Sequence, residues 1–196
     1  MKERPILFNG EMVRSILDGQ KTQTRRPVKH IQMLGGPLGW CAAAAAQEPG
    51  FISIVGDYTR YCPFGQPGGQ LWVRETSGIV TGNGHRRVYR ADGDPMQTFY
   101  PEEKIIGMKW TPSIHMRRST SRIQLEITGV RVERVQEINE ASALAEGMAV
   151  GHMTAPTASS SYHTARQNFA QTWKDIYGNW GVNPWVWVVE FKRVKP

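Results

Sequence analysis

Within six residues, Lys21-Thr22-Gln23-Thr24-Arg25-Arg26 gathers a lysine, two hydroxyls and two arginines, just after a helix-stopping Gly19. Such a set can do proton-transfer chemistry. A lysine taken out of water loses proton affinity and can act as a general base. A threonine hydroxyl beside it can then serve as the nucleophile. In an ideal strand Lys21 and Thr24 point to opposite faces, so they converge only if Lys21 still belongs to the turn after Gly19. The guanidinium groups of Arg25 and Arg26 can grip a phosphate bidentately. A run of six polar residues buries little apolar area, which suits a polar pocket better than a core. The plain alternative is a solvated basic edge strand.

Other chemistries lack their motifs. The chain has no P-loop, no Gly-x-Gly-x-x-Gly after a strand, no Gly-x-Ser-x-Gly elbow and no His-Glu-x-x-His. Cys41 and Cys62 are too few for a disulfide scaffold and form no C-x-x-C pair, and His30, His85, His115, His152 and His163 are scattered. Neither a metal nor a cofactor is expected.

The helix-Gly-x-Lys-Thr-x-Thr-x-Arg pattern around Lys21 resembles the signature of the ASCH domain, within the PUA-like β-barrel superfamily. Gly68-Gly69-Gln70-Leu71-Trp72-Val73 resembles that family's Gly-Asp-x-Leu strand, with Gly69 in place of the acidic residue. Trp187-Val188-Val189-Glu190-Phe191 resembles its closing strand, and Ala145-Glu146-Gly147-Met148 falls where small members carry a glutamate near a variable helix. The resemblance covers four separated blocks. It implies an α+β fold: a small curved β-barrel with short helices packed at its ends and inserted loops. It also implies a single domain over 1–196, with insertions near 30–62, 80–120 and 150–165. The chain is longer than the minimal members and is similar in this to ASCH-type proteins of tailed phages and prophages.

The small N4-acetylcytidine amidohydrolases of this family imply a role for each of three residues here. Lys21 would be the base, Thr24 the nucleophile and Glu146 the proton donor. The expected activity is hydrolysis of an acylated or otherwise modified pyrimidine nucleoside. Glu137 and Glu140 lie close to Glu146 in sequence and compete with it for the carboxylate role. The alternative is a non-catalytic module that binds RNA, DNA or a modified base; nuclease activity, suggested for some ASCH proteins, is a third reading.

Charge bears on the partner. The 196 residues carry 24 Lys and Arg against 17 Asp and Glu, a net +7. Residues 1–40 hold seven basic and three acidic side chains, and residues 81–134 hold ten and six, so each block is +4. Concentrated basic charge favours a polyanion, because releasing counterions from phosphates supplies most non-specific affinity. Arg117 and Arg118 are candidate phosphate contacts. Trp72 and Trp110 are candidate stacking platforms, Trp72 in a cleft with Arg25 and Arg26, although a core role suits Trp72 as well. A surface charged for solubility is the plain counterpart. The longest apolar runs fall far short of the roughly 20 residues of a spanning helix, and Met1-Lys2-Glu3-Arg4-Pro5 opens no secretory signal, so a cytoplasmic protein with no membrane partner is expected.

The elements that must position these residues are short. A strand is expected at Pro5–Phe8, then a helix from Gly10 with Met12, Val13, Ile16 and Leu17 on one face. A hairpin is expected from 51–55 and 58–61, with strands over 71–75 and 87–91 and an irregular stretch over 92–120. Ile123, Leu125 and Ile127 alternate with polar residues, and the pattern slips phase after Gly129, which predicts a bulge or bend there. Asn139 should cap a short helix using Ala141, Leu144 and Ala145, and Thr154–Ser161 reads as a loop. Phe169, Trp173, Ile176 and Tyr177 predict a helix stopped by Gly178, followed by a final strand over 185–194.

Overall fold

A computed structural model of the chain describes residues 3–28, 58–82, 84–93, 107–149 and 164–194. The fold is α+β, mostly sheet with few helices. The chain divides into two compact units, one of residues 1–20, 69–126 and 192–196, the other of residues 21–68 and 127–191.

In the first unit, β1 (Glu3–Leu7) runs parallel to β3 (Gln70–Arg74), which pairs antiparallel with the start of β7 (Gln124–Arg134). Between β1 and β3 in sequence comes α1 (Gly10–Leu17). Asn9 caps it, Val13 and Ile16 are its buried face, and Gly19 turns the chain at φ 74°. That positive φ is why a glycine stands there. Ile6, Leu71, Val73, Ile123 and Leu125 are buried, following the period-2 pattern of half-covered strands. The same unit holds a three-stranded antiparallel sheet in the order β5-β4-β6, with β4 Ser77–Gly82, β5 Gly84–Tyr89 and β6 Gly107–Thr111.

In the second unit, β7 continues and neighbours β8 (Trp185–Val194), which pairs antiparallel with β2 (Gln23–Pro27). Two helices, α2 (Glu140–Ala145) and α3 (Ala165–Tyr177), belong here. Val135, Ile138, Ala143, Ala165, Phe169, Trp173, Val186 and Val188 form one core cluster. Val186 to Val189 are all buried, so β8 is covered on both faces and reads as a continuous apolar run.

Several expectations need correction. The described strands form open sheets, with β1 and β2 as edge strands, rather than a closed barrel. Tyr58–Tyr61 is a single 3-10 turn, not a hairpin arm, and residues 51–55 lie outside the described residues, as does Thr154–Ser161. Strand β5 ends at Tyr89, and Arg90–Asp92 turns. The stretch over 92–120 contains β6, whose Met108 and Trp110 pack with Val80 and Val88; burial at alternate positions makes it a strand. Strand β7 runs through Gly129 as one element. There a Cβ would sit 2.7 Å from the Glu190 carboxylate, so the glycine makes room for a side chain. On α2 the buried residue is Ala143, with Leu144 exposed, and on α3 Ile176 is exposed while Tyr177 packs on the core.

Candidate active site

The turn covers Asp18 and Gly19, and Lys21 and Thr22 lie in the short segment between it and the first residue of β2. The Thr22 amide donates to the Ala145 carbonyl at 2.8 Å, and the Thr22 carbonyl accepts from the Phe191 amide at 2.8 Å. Gln23 Nε2 donates to the Ser142 carbonyl at 2.6 Å. The bonds to Ala145 and Ser142 tie this segment to the end of α2, and the bond from Phe191 ties it to β8. Asn139 Oδ1 starts α2 by accepting from the Ser142 amide, and Gly147, at φ 82°, ends it. Glu146 occupies the C-cap between them.

Lys21 Nζ therefore meets Glu146. It donates to the Glu146 backbone carbonyl at 2.7 Å and to Oε2 at 2.7 Å, with the lysine side chain fully buried and the glutamate nearly so. Arg25, two residues into β2 from Gln23 and on the same face, donates from Nη1 to Glu146 Oε1 at 3.1 Å. Its Nε and Nη2 reach Glu133 Oε1 at 2.9 and 2.5 Å. Arg131 then donates to Glu133 Oε2 at 3.0 Å and also bonds Glu190. Three cations and three carboxylates thus alternate along one chain: Lys21, Glu146, Arg25, Glu133, Arg131, Glu190. The Arg25 guanidinium also lies 5.7 Å from the centre of the Phe169 ring, in cation–π range.

Burial holds the Lys21 ammonium below the ordinary lysine range, although the neighbouring Glu146 carboxylate pulls it back up. The direction follows from position: Lys21 leaves water entirely and gains one shared counter-ion.

The three glutamates near residue 140 have separate duties. Glu137 accepts from the Arg134 amide, and Glu140 caps α3 through the Ala165 and Arg166 amides at 2.6 and 3.1 Å. Glu146 meets the lysine.

Thr24 is buried in β2 opposite Val189. Strand alternation gives its hydroxyl to the face away from Gln23 and Arg25, and among the described residues no hydrogen bond joins it to Lys21 or Glu146. Arg26 is half-buried, opposite Trp187 in register. Trp72 and Trp110 belong to the first unit. Arg74 lies 5.4 Å from the Trp72 ring centre, and Trp110 packs on Gly78 with Arg90 5.8 Å from its ring centre. Arg90, Gly93, Met108 and Trp110 line a cavity of about 230 Å³, and Asn9, Arg14, Glu75, Thr76 and Arg90 contribute to another of about 380 Å³. Arg117 is exposed, whereas Arg118 is half-buried and pairs with Glu3 at 2.5 Å. No group of three or more potential metal-ligating side chains occurs among the described residues.

Sequence reasoning passed over Glu133 and Arg131. Their signal was present: two opposite charges two residues apart in a β pattern share a strand face. Their partners, Arg25 and Glu190, are remote in sequence.

Comparison with protein-family profiles, with characterised proteins and with solved structures gives no match. No helix among the described residues is long and apolar enough to cross a membrane.

Proposed function

We propose that this chain is a hydrolase of an acylated or otherwise modified pyrimidine nucleoside, of the N4-acetylcytidine kind, on an ASCH-like, PUA-related scaffold. The observation that carries the reading is the buried contact of Lys21 Nζ with Glu146 Oε2 at 2.7 Å. Lys21 takes the proton of the attacking hydroxyl, whose oxygen bonds the acyl carbon. The carbon–nitrogen bond then breaks, and the proton passes through Glu146 to the leaving nitrogen. Arg25, bonded to Glu146 and Glu133, keeps the glutamate aimed at the lysine.

The nucleophile is Thr24, as the resemblance implies, or a water that Lys21 deprotonates in its place. Both routes give the same products. With Thr24 the acyl group passes through an ester that water then cleaves, and Thr24→Val abolishes turnover; with water, turnover persists in Thr24→Val.

The test is cytidine release from N4-acetylcytidine by the purified chain. Turnover should fall about 10²–10⁴-fold in Lys21→Met and in Glu146→Gln, the usual contribution of a proton-transfer group. No release by the parent chain, or release unchanged by Lys21→Met, overturns the reading.

A second reading, nucleic-acid binding, is favoured by one distribution. The first unit holds fifteen basic and nine acidic residues, a net +6, while the second holds nine and eight. A unit that carries six of the seven excess charges is suited to a polyanion.

A further inference from the structure

We infer that the exposed face of the three-stranded sheet in the first unit binds the sugar–phosphate backbone of a single-stranded nucleic acid, through Arg87 and Lys109 on either side of Ile79. This inference rests on the nucleic-acid reading above and gives it a place in the structure.

Register sets the arrangement. Ile79 of the central strand β4 pairs with Arg87 of β5 on one side and with Lys109 of β6 on the other, so the three side chains stand in one row across the sheet. All three are exposed. Thr81 pairs with His85 in the adjoining row, and His85 is exposed too. Residues directly paired across strands share a face, and strands lie about 4.8 Å apart, so the backbones bearing the two cations are about 10 Å apart.

The other face is accounted for. Val80, Val88, Met108 and Trp110 form a small core there, and Trp110 packs so closely on Gly78 that a Cβ would approach its ring to 3.0 Å. The exposed face, by contrast, carries two cations that form no ion pair among the described residues. Two of their neighbours in the same basic stretch are spoken for. Arg118 pairs with Glu3. Arg122 is bonded to Glu75 and Asp92 and stacks on Tyr89 with its guanidinium 3.9 Å from the ring centre. The positive potential of this unit thus has an outlet at Arg87 and Lys109, whereas Arg118 and Arg122 serve the fold.

The chemistry of the face selects its ligand. Two cations flanking one aliphatic side chain fit phosphates on either side of a sugar. No aromatic stands in the exposed row, and Tyr89, on the same face two residues from Arg87, is half-buried with the Arg122 guanidinium over its ring, so bases are not stacked and sequence preference is weak, unlike aromatic-bearing sheet platforms. A membrane-binding face would carry a broad apolar stripe with Trp, Phe or Leu; here Ile79 stands alone between charges.

The experiment is fluorescence anisotropy with a fluorescein-labelled 20-nucleotide oligothymidylate between 50 and 200 mM salt. It compares the parent chain with Arg87→Gln/Lys109→Gln, with Ile79→Glu and with Arg117→Gln/Arg118→Gln. The parent should bind, weakening steeply with salt. Losing two phosphate contacts should reduce the slope of log K against log salt by about 1.4 in the first variant, with an unchanged melting temperature. Ile79→Glu, which places a negative charge between the cations, should weaken binding at least tenfold at 50 mM salt. Binding that is lost with Arg117 and Arg118 but not with Arg87 and Lys109 overturns this placement and leaves nucleic-acid binding standing. No binding by the parent overturns both. Equal binding to vesicles containing 30% phosphatidylserine overturns the choice of ligand.

Discussion

At the residue scale, the pair Lys21–Glu146 makes a definite statement about pH. Burial lowers the affinity of Lys21 for its proton, and Glu146 partly restores it. An NMR titration of Lys21 should therefore give a midpoint below the ordinary lysine value of about 10.4. Glu146→Gln should move it lower still, because the restoring charge is removed. A midpoint at the free-lysine value would contradict the burial. The stability effect has a fixed sign. As pH falls from above 10.4, the unfolded chain binds a proton at Lys21 before the folded chain does, so stability declines across that interval and levels off below the lowered midpoint. Denaturant melts at a series of pH values between 8 and 11 would show this slope, and Lys21→Met would flatten it. Gly19 made the placement of Lys21 ahead of the strand readable from the sequence. The pairing with Glu146 was not readable from spacing, since 125 residues separate the partners.

At the element scale, the last turn of α2 carries Glu146 into the site. Gly147 holds φ 82°, a conformation in which a side chain's Cβ crowds the following carbonyl. Gly147→Ala should cost about 1–2 kcal/mol, measured by chemical denaturation, and should lower turnover more than that loss of folded protein explains, because Glu146 moves with the turn. In the first unit, Gly78 lets Trp110 lie on β4. Gly78→Ala should push the indole away and destabilise the chain by about 1–3 kcal/mol, read as a lower melting temperature. Amphipathic elements with clear stops were legible: α1 before Gly19, α3 before Gly178, and β8 with its apolar run. Strand β6 was less so. Its Met108 and Trp110 alternate properly, but five residues between irregular stretches give a weak periodic signal. On α2 and α3, which face lies inward was settled by neighbours such as Phe169 and Val186 rather than by residue type.

For the whole molecule, the division of charge matters more than its total. Read along the sequence, the +7 falls into two equal blocks, one of them around Lys21. Read through the fold, six of the seven charges belong to the first unit, and Lys21 and Arg25 sit in a nearly balanced one. Hydrogen exchange with and without the oligothymidylate should accordingly show new protection in β4, β5 and β6 and none in β2 and α2. Protection centred on β2 would place the polyanion at the hydrolase site instead. The sequence by itself determined the local matters: which residues can form strands and helices, where glycines stop them, and that a lysine, two threonines and two arginines arrive together within six residues. These depend on backbone preference and on periodicity over a few residues, so they can be read locally. Only the tertiary structure decided which carboxylate meets Lys21, that Arg25 serves Glu146 and Glu133, and which cations remain exposed. Those outcomes depend on burial, where a charge must find a partner whatever its distance along the chain.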